Sequence, residues 1–410
     1  MSERVKLTVE EYLGELLQLV APLGEVDVVE VAEAVGRTLA RSVVAAGDVP
    51  GMANSAMDGF AVRSHELEVG RVLSVVADVP AGSPLDPPLG PGECCRIMTG
   101  APVPSDADTI VPVELVDQSS DRRSITLLAI PAPGAHVRGA GEDFTRGVEV
   151  LQAGTVLGPR ELSLVSGAGV PEVSVVRRPR VAVVATGDEL RPPGATLERG
   201  QIFESNGLFL SAALTAAGAE VVARLCLPDA DDEFAAGLEA AASEADLVVL
   251  SGGVSVGDYD VVRIVLQARA TSAFRHVLMQ PGKPQGWALW QAANGRSVPL
   301  VALPGNPLST MVSFDLFVAA MLDRMCGRAT PGWEVAVAGC AWTPPIGRRQ
   351  FVPVNVEVDA QGRQLVRPVH RRGSASHMVS AAAQADGLAV VEADVEKVHE
   401  GDTVSFRRYR

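Results

Sequence analysis

Residues 246–260 read Asp-Leu-Val-Val-Leu-Ser-Gly-Gly-Val-Ser-Val-Gly-Asp-Tyr-Asp, and their reading decides the fold. The run Asp246–Leu250 is short, apolar and rich in branched side chains, as expected of a strand buried on both faces of a parallel sheet. It breaks into Ser251-Gly252-Gly253-Val254-Ser255-Val256-Gly257-Asp258-Tyr259-Asp260. Glycines let backbone N–H groups converge on an anion, and a following helix N-terminus adds a favourable dipole. A tight turn explains one Gly-Gly pair; ten residues dense in Ser, Gly and Asp point further.

Working outward, the same alternation repeats. Arg180–Ala185 reads as a strand ending in Thr186-Gly187-Asp188-Glu189, and Ser205 and Asn206 precede a helix across Gly207–Ala217. Glu220–Leu225 is a strand ending near Asp229, followed by a helix over Asp232–Ala242. Val298–Leu303 ends in Pro304-Gly305-Asn306-Pro307, ahead of a long apolar helix to Met325. This pattern predicts a doubly wound α/β domain over 177–327.

The flanks have other textures. Thr8 and Glu11 have capping-box spacing, with Val9, Tyr12, Leu13, Leu16, Leu17 and Val20 at helical intervals behind them. Residues 46–140 carry frequent Pro and Gly between β-rich runs (Arg71–Val76, Thr109–Val113, Ser124–Ile130), predicting a small β domain. Residues 141–176 offer a strand, a turn and a helix opened by Pro159. Arg177-Arg178-Pro179-Arg180 reads as a basic hinge, and 328–410 as a separate small β barrel or sandwich.

With 35 Lys and Arg against 50 Asp and Glu, the formal charge is −15, which opposes general binding to nucleic acid or anionic lipid. An anionic ligand would need local positive charge or a metal. The five cysteines form no C-x-x-C pair, so neither a disulfide framework nor a zinc site is expected. The N-terminus lacks the apolar core of a signal peptide, and no run is long enough to span a membrane. The cytoplasm is the expected location.

Ligands of open α/β sheets sit outside the carboxyl ends of the strands. Asp188, Glu189, Asp229, Asp258 and Asp260 all fall there, beside the glycine loops. Carboxylates next to phosphates need an intervening hard cation, and Mg²⁺ takes one or two carboxylates plus phosphate oxygens and water. Lys283, held in Pro281-Gly282-Lys283-Pro284, suits a positioned phosphate contact. Arg348-Arg349 and Gly373-Ser374-Ala375-Ser376-His377 are candidate oxyanion donors.

Together these strings resemble the molybdopterin molybdenumtransferases, the bacterial MoeA family and the homologous E domain of gephyrin. The strings are Asn54-Ser55-Ala56-Met57-Asp58-Gly59, Arg96–Pro104, Gly141-Glu142-Asp143, Thr186–Leu190, Ser251–Asp260, Pro281–Pro284 and Pro304–Pro307, in family order from residue 54 to 310. The resemblance implies a homodimer of four-domain subunits: residues 1–45 with 141–176 as a discontinuous N-terminal domain, 46–140 inserted in it, 177–327 holding the pterin nucleotide, and 328–410 as a C-terminal β barrel. It also implies a cleft completed by the partner subunit. The implied reaction takes adenylylated molybdopterin and molybdate, with a divalent cation, and releases AMP and molybdenum cofactor. The molybdopterin adenylyltransferase is a possible protein partner.

By the same resemblance, Asp58, Glu189, Asp229, Asp260 and Lys283 are expected to be catalytic, with Asp229, Asp260 and Glu189 facing Mg²⁺. The expected binding residues are Thr99, Asp143, Thr186, Gly187, Ser251, Gly252, Gly253, Ser255, Pro304, Gly305, Asn306, Arg349 and Ser376. Lys283 and Arg349 would attract molybdate. Ala53 stands where many relatives have Asp, Phe60 where Tyr is usual, and His276 and Gln280 where some have lysines. A non-catalytic pterin-binding paralogue or scaffold therefore stays open, as does an adenylyltransferase, whose glycine loop typically reads Gly-Gly-Thr-Gly.

Overall fold

A computed structural model of the chain describes residues 5–254, 260–370 and 375–409. Two compact units result: Val28–Val175 forms one, and the segments on either side of it together form the other. The unit boundary at Val175/Val176 coincides with the start of the basic, proline-containing hinge.

The larger unit is built on a seven-stranded sheet. Arg180–Thr186 lies between Glu220–Leu227 and Leu247–Ser251, and Ser297–Leu303 follows, all parallel. Residues 181–185, 247–250 and 298–303 are apolar and buried, because helices cover both faces. Beyond them the sheet is mixed. Thr271–Val277 and Pro284–Gln291 form an antiparallel hairpin whose second strand pairs antiparallel with Ser297–Leu303. The doubly wound expectation holds for the parallel half, and Lys283 sits in the connection between the hairpin strands. A helix from Pro307 runs to Met325 through a π turn at Phe314–Val318.

The N-terminal helix Val9–Gln18 packs within this unit. Tyr12, Leu16 and Val20 lie in the same core as Val181, Leu210, Phe317 and Leu322. The Tyr12 hydroxyl donates to the Gly286 carbonyl at 3.0 Å, and Lys6–Leu7 pairs with the edge strand at His276–Val277. The predicted cap is formed in full: Thr8 N–H donates to Glu11 Oε2 at 2.8 Å, and Glu11 N–H to Thr8 Oγ1 at 3.2 Å.

Within the same unit, five C-terminal strands close into a barrel in the order Arg349–Val358, Gln364–Pro368, Glu334–Ala338, Thr403–Arg408, Gly387–Val391 and back to Arg349–Val358. Closure leaves none of the five as a free edge. Val352, Val354, Val366, Ala389 and Phe406 fill the barrel.

The smaller unit has two parts. A six-stranded sheet runs from Gly59–Val62 to Ser124–Leu127, with a separate apolar cluster on each face. Ala34, Leu39, Val43, Leu157, Val165 and Val175 form another core from residues on both sides of that insertion.

Candidate active site

Loops leaving the carboxyl ends of the parallel strands enclose a cleft of about 530 Å³. Thr186 ends the first strand, and its hydroxyl donates to Asp229 Oδ1 at 2.6 Å. Asp188 and Asp229 exchange backbone-to-carboxylate bonds, N–H to Oδ2 at 3.4 Å and N–H to Oδ1 at 3.3 Å. Glu189 and Glu204 line the same wall. Opposite, Asp260 caps the helix Val261–Arg269, its carboxylate accepting from Arg263 N–H at 3.3 Å.

The floor is backbone. Gly252 and Gly253 have φ of +101° and +69°, in the left-handed region. A Cβ on Gly252 would stand 2.8 Å from the Thr186 carbonyl oxygen, and one on Gly253 2.1 Å from Val262 Cγ2 and 2.9 Å from Asp260 Oδ1. A Cβ on Gly305 would stand 3.5 Å from Gly252 Cα, so the two loops meet almost main chain to main chain. Such a concave floor beside a helix N-terminus is suited to phosphate oxygens.

A second compartment of about 300 Å³ adjoins it, sharing Pro284, Pro304 and Asn306 as a common wall. Lys283, Gln280, Arg348, Ser309 and Ser376 line it. Asn306 Nδ2 donates to Ser376 Oγ at 3.1 Å, and Leu308 N–H to the Ser376 carbonyl at 3.0 Å.

The structure thus gathers Thr186, Gly187, Glu189, Asp229, Ser251, Gly252, Gly253, Asp260, Pro304, Gly305 and Asn306 around one cleft, with Lys283 and Ser376 in the adjoining compartment. It does not bring Arg349 there. Arg349 is ion-paired with Glu10 and, at 2.9 Å, with Glu392, in a different groove lined by Leu13, Leu17 and Trp333. Arg348, in the bend just before the strand Arg349–Val358, lines the second compartment instead. The paired carboxylates outweigh burial and raise the Arg349 pKa above its usual value, keeping it charged but engaged.

Asp58, Thr99 and Asp143 belong to the smaller unit. Thr99 N–H and hydroxyl both donate to Asp58 Oδ1, at 2.7 and 2.9 Å, and these bonds lower the Asp58 pKa. Asp143 is exposed, its backbone N–H donating to the Val49 carbonyl at 2.9 Å. Ser255, Asp258, Gly373 and Ser374 lie outside the described residues.

Sequence reasoning missed Glu204 and Asn206 as cleft residues. Glu204 accepts from Gly207 N–H at 2.6 Å, and the Asn206 amide reaches both glycine loops. Their only signal was polarity at a helix start, which ordinary capping also explains.

Sequence patterns of known families cover nearly the whole chain. The MoeA N-terminal region (domain I and II) matches residues 7–169, a probable molybdopterin binding domain matches 182–324, and the MoeA C-terminal region (domain IV) matches 335–408. The molybdopterin molybdenumtransferase 2 of Mycobacterium tuberculosis is 37% identical over 405 residues, covering 96% of each chain. The chain belongs to the molybdopterin molybdenumtransferase family. Another member, from Haemophilus influenzae, is 32% identical over 406 residues and 98% of each chain. A crystal structure of a molybdopterin biosynthesis MoeA protein from Pyrococcus horikosii superposes with a TM-score of 0.80 at 30% identity, covering 99% of this chain and all of that one. The fold is therefore the MoeA-type multidomain arrangement, with a molybdopterin-binding α/β domain and a closed C-terminal barrel.

The donor chemistry of the transferase cleft fits Mg²⁺. The acidic groups lining it offer only hard oxygens, from Glu189, Glu204, Asp229 and Asp260.

Proposed function

We propose that this chain transfers molybdenum from molybdate to molybdopterin, using the adenylylated pterin and releasing AMP, in the synthesis of molybdenum cofactor. The observation that carries the reading is the pair of joined compartments. One has a glycine floor and carboxylate walls for a pyrophosphate; the other has Lys283 and Arg348 for an oxyanion. A protein of formal charge −15 needs such local cations to receive a dianion.

In this reading the backbones of Gly252, Gly253, Gly305 and Asn306 cradle phosphate oxygens. Asp229 and Asp260 would hold Mg²⁺, and Glu189 orients the oxygen that opens the phosphoanhydride. Bound Mg²⁺ supplies charge neutralisation between the phosphates and the carboxylates. Lys283 and Arg348 retain molybdate beside the dithiolene, whose sulfurs take the metal. The chain's contribution is positioning and charge compensation.

The working form is a homodimer in the cytoplasm, with the cleft completed by the partner subunit. The adenylyltransferase that makes the substrate is the natural protein partner. No helix among the described residues is long and apolar enough to cross a membrane.

The test is AMP release by purified protein from adenylylated molybdopterin with Mg²⁺, with and without molybdate. Molybdate-dependent release, with active cofactor formed, is expected, and Asp260→Asn should abolish it while leaving the protein folded. Tight pterin binding without turnover would instead assign the chain to the paralogue or scaffold class.

A further inference from the structure

The two glycine loops that form the floor of the cleft leave neighbouring strands, paired as far as Ser251 and Leu303, with Gly252 N–H donating to the Leu303 carbonyl at 3.2 Å. Beyond that point a side chain bridges them. Asn206, half-buried at the start of the helix Asn206–Ala216, donates from the same amide nitrogen to Ser251 Oγ at 2.8 Å and to the Gly305 carbonyl at 2.7 Å. Only the nitrogen can serve the second contact, since the amide oxygen would face another carbonyl oxygen. Ser251 is buried at the end of its strand, so one anchor is rigid. Gly305 is exposed in a loop, so the other anchor is the piece being held.

We propose that Asn206 is a positioning residue. It fixes the Pro304–Pro307 loop against Ser251-Gly252-Gly253 at the spacing a bound phosphate requires. The loop is pinned on its other side by the bond from Asn306 to Ser376, in the oxyanion compartment. The two anchors therefore act on different halves of the site: Asn206 governs the nucleotide side and leaves the oxyanion side in place. Loss of the Asn206 bonds lets Gly305 move relative to Gly252, where a Cβ on Gly305 would stand 3.5 Å from Gly252 Cα. This rests on the nucleotide reading of the cleft.

The experiment compares wild type, Asn206→Ala and Asn206→Asp. AMP affinity with Mg²⁺ is measured by calorimetry, half-saturating molybdate by AMP release, and the melting temperature by scanning calorimetry. Both variants should bind AMP about tenfold more weakly, the loss expected for two hydrogen bonds that order a binding loop. Half-saturating molybdate should stay within about twofold in the same proteins, a split that general destabilisation would not produce. The aspartate variant preserves shape and removes the donors, so it should be at least as impaired as alanine. AMP affinity within about twofold of wild type in either folded variant would overturn the proposal, as would parallel losses for AMP and molybdate. Absence of AMP binding by the wild-type protein would instead overturn the nucleotide reading itself.

Discussion

Two neighbouring arginines show how much the site depends on single side-chain directions. Arg348 lines the compartment that holds Lys283, whereas Arg349 spans Glu10 and Glu392 on the far side of the strand. Lys283→Gln and Arg348→Gln should each raise half-saturating molybdate about tenfold, the size of one lost charge-assisted hydrogen bond. Arg349→Gln should change it by less than about twofold. Steady-state AMP release at varied molybdate separates the three, and an equal penalty for Arg349→Gln would refute the placement. The identity of the cleft residues was legible because Gly, Ser and Asp cluster at strand ends. The choice between adjacent arginines was not, since both carry the same charge and only tertiary packing decides which of them meets Glu10 and Glu392.

Among the elements, the most readable was the N-terminal helix. Its capping box and apolar spacing are local, and both appear as predicted. Thr8→Ala should cost about 1 kcal/mol of unfolding free energy, because it removes the acceptor for Glu11 N–H and releases the reciprocal bond. Urea denaturation measures this, and a change below about 0.3 kcal/mol would show the cap to be dispensable. The hairpin Thr271–Gln291 was less readable. Its first strand mixes aromatic and polar residues, and the apolar run of its second, residues 286–290, is short, so only the Pro-Gly-Lys-Pro connection stood out. Buried Gln285, donating to the Gly282 carbonyl at 2.7 Å and to Ser313 Oγ at 2.6 Å, supports that connection from beneath.

On the scale of the whole molecule, the chain leaves the larger unit near residue 27 and returns near 176, so its two segments must be joined without covalent continuity. Arg177 does this. It reaches Glu25 Oε2 at 2.7 Å from the first segment and Asp246 Oδ2 at 2.7 Å from the second, while its N–H donates to the Glu25 carbonyl at 3.0 Å. Asp246 also accepts from Arg180 N–H at 2.8 Å and from Arg296 at 2.9 Å. Burial alone would raise the Asp246 pKa, but the bonds to Arg177 and the Arg180 N–H outweigh it and lower the pKa. A depressed folded pKa gives stability that is fully present above the unfolded value of about 4 and lost as pH falls through the folded value. Asp246→Asn should therefore cost about 2 kcal/mol near pH 7, the scale of charge-assisted bonds. The difference from wild type should shrink below about pH 4. Denaturation curves across pH check this, and a pH-independent difference would remove Asp246 as the titrating group.

The sequence by itself determined the alternation of strands and helices, the glycine and carboxylate loops at the strand ends, the inserted β domain and the cap of the first helix. Each of these is written in short-range patterns, since period, turn chemistry and capping act over a few residues. Only the tertiary structure decided that the first helix packs on the α/β core, that Arg348 and not Arg349 lines the compartment that holds Lys283, and that Asn206 links two loops some 45 and 99 residues away. Those outcomes depend on which distant surfaces bury one another. Such choices arise from long-range packing, and no local pattern in the chain encodes them.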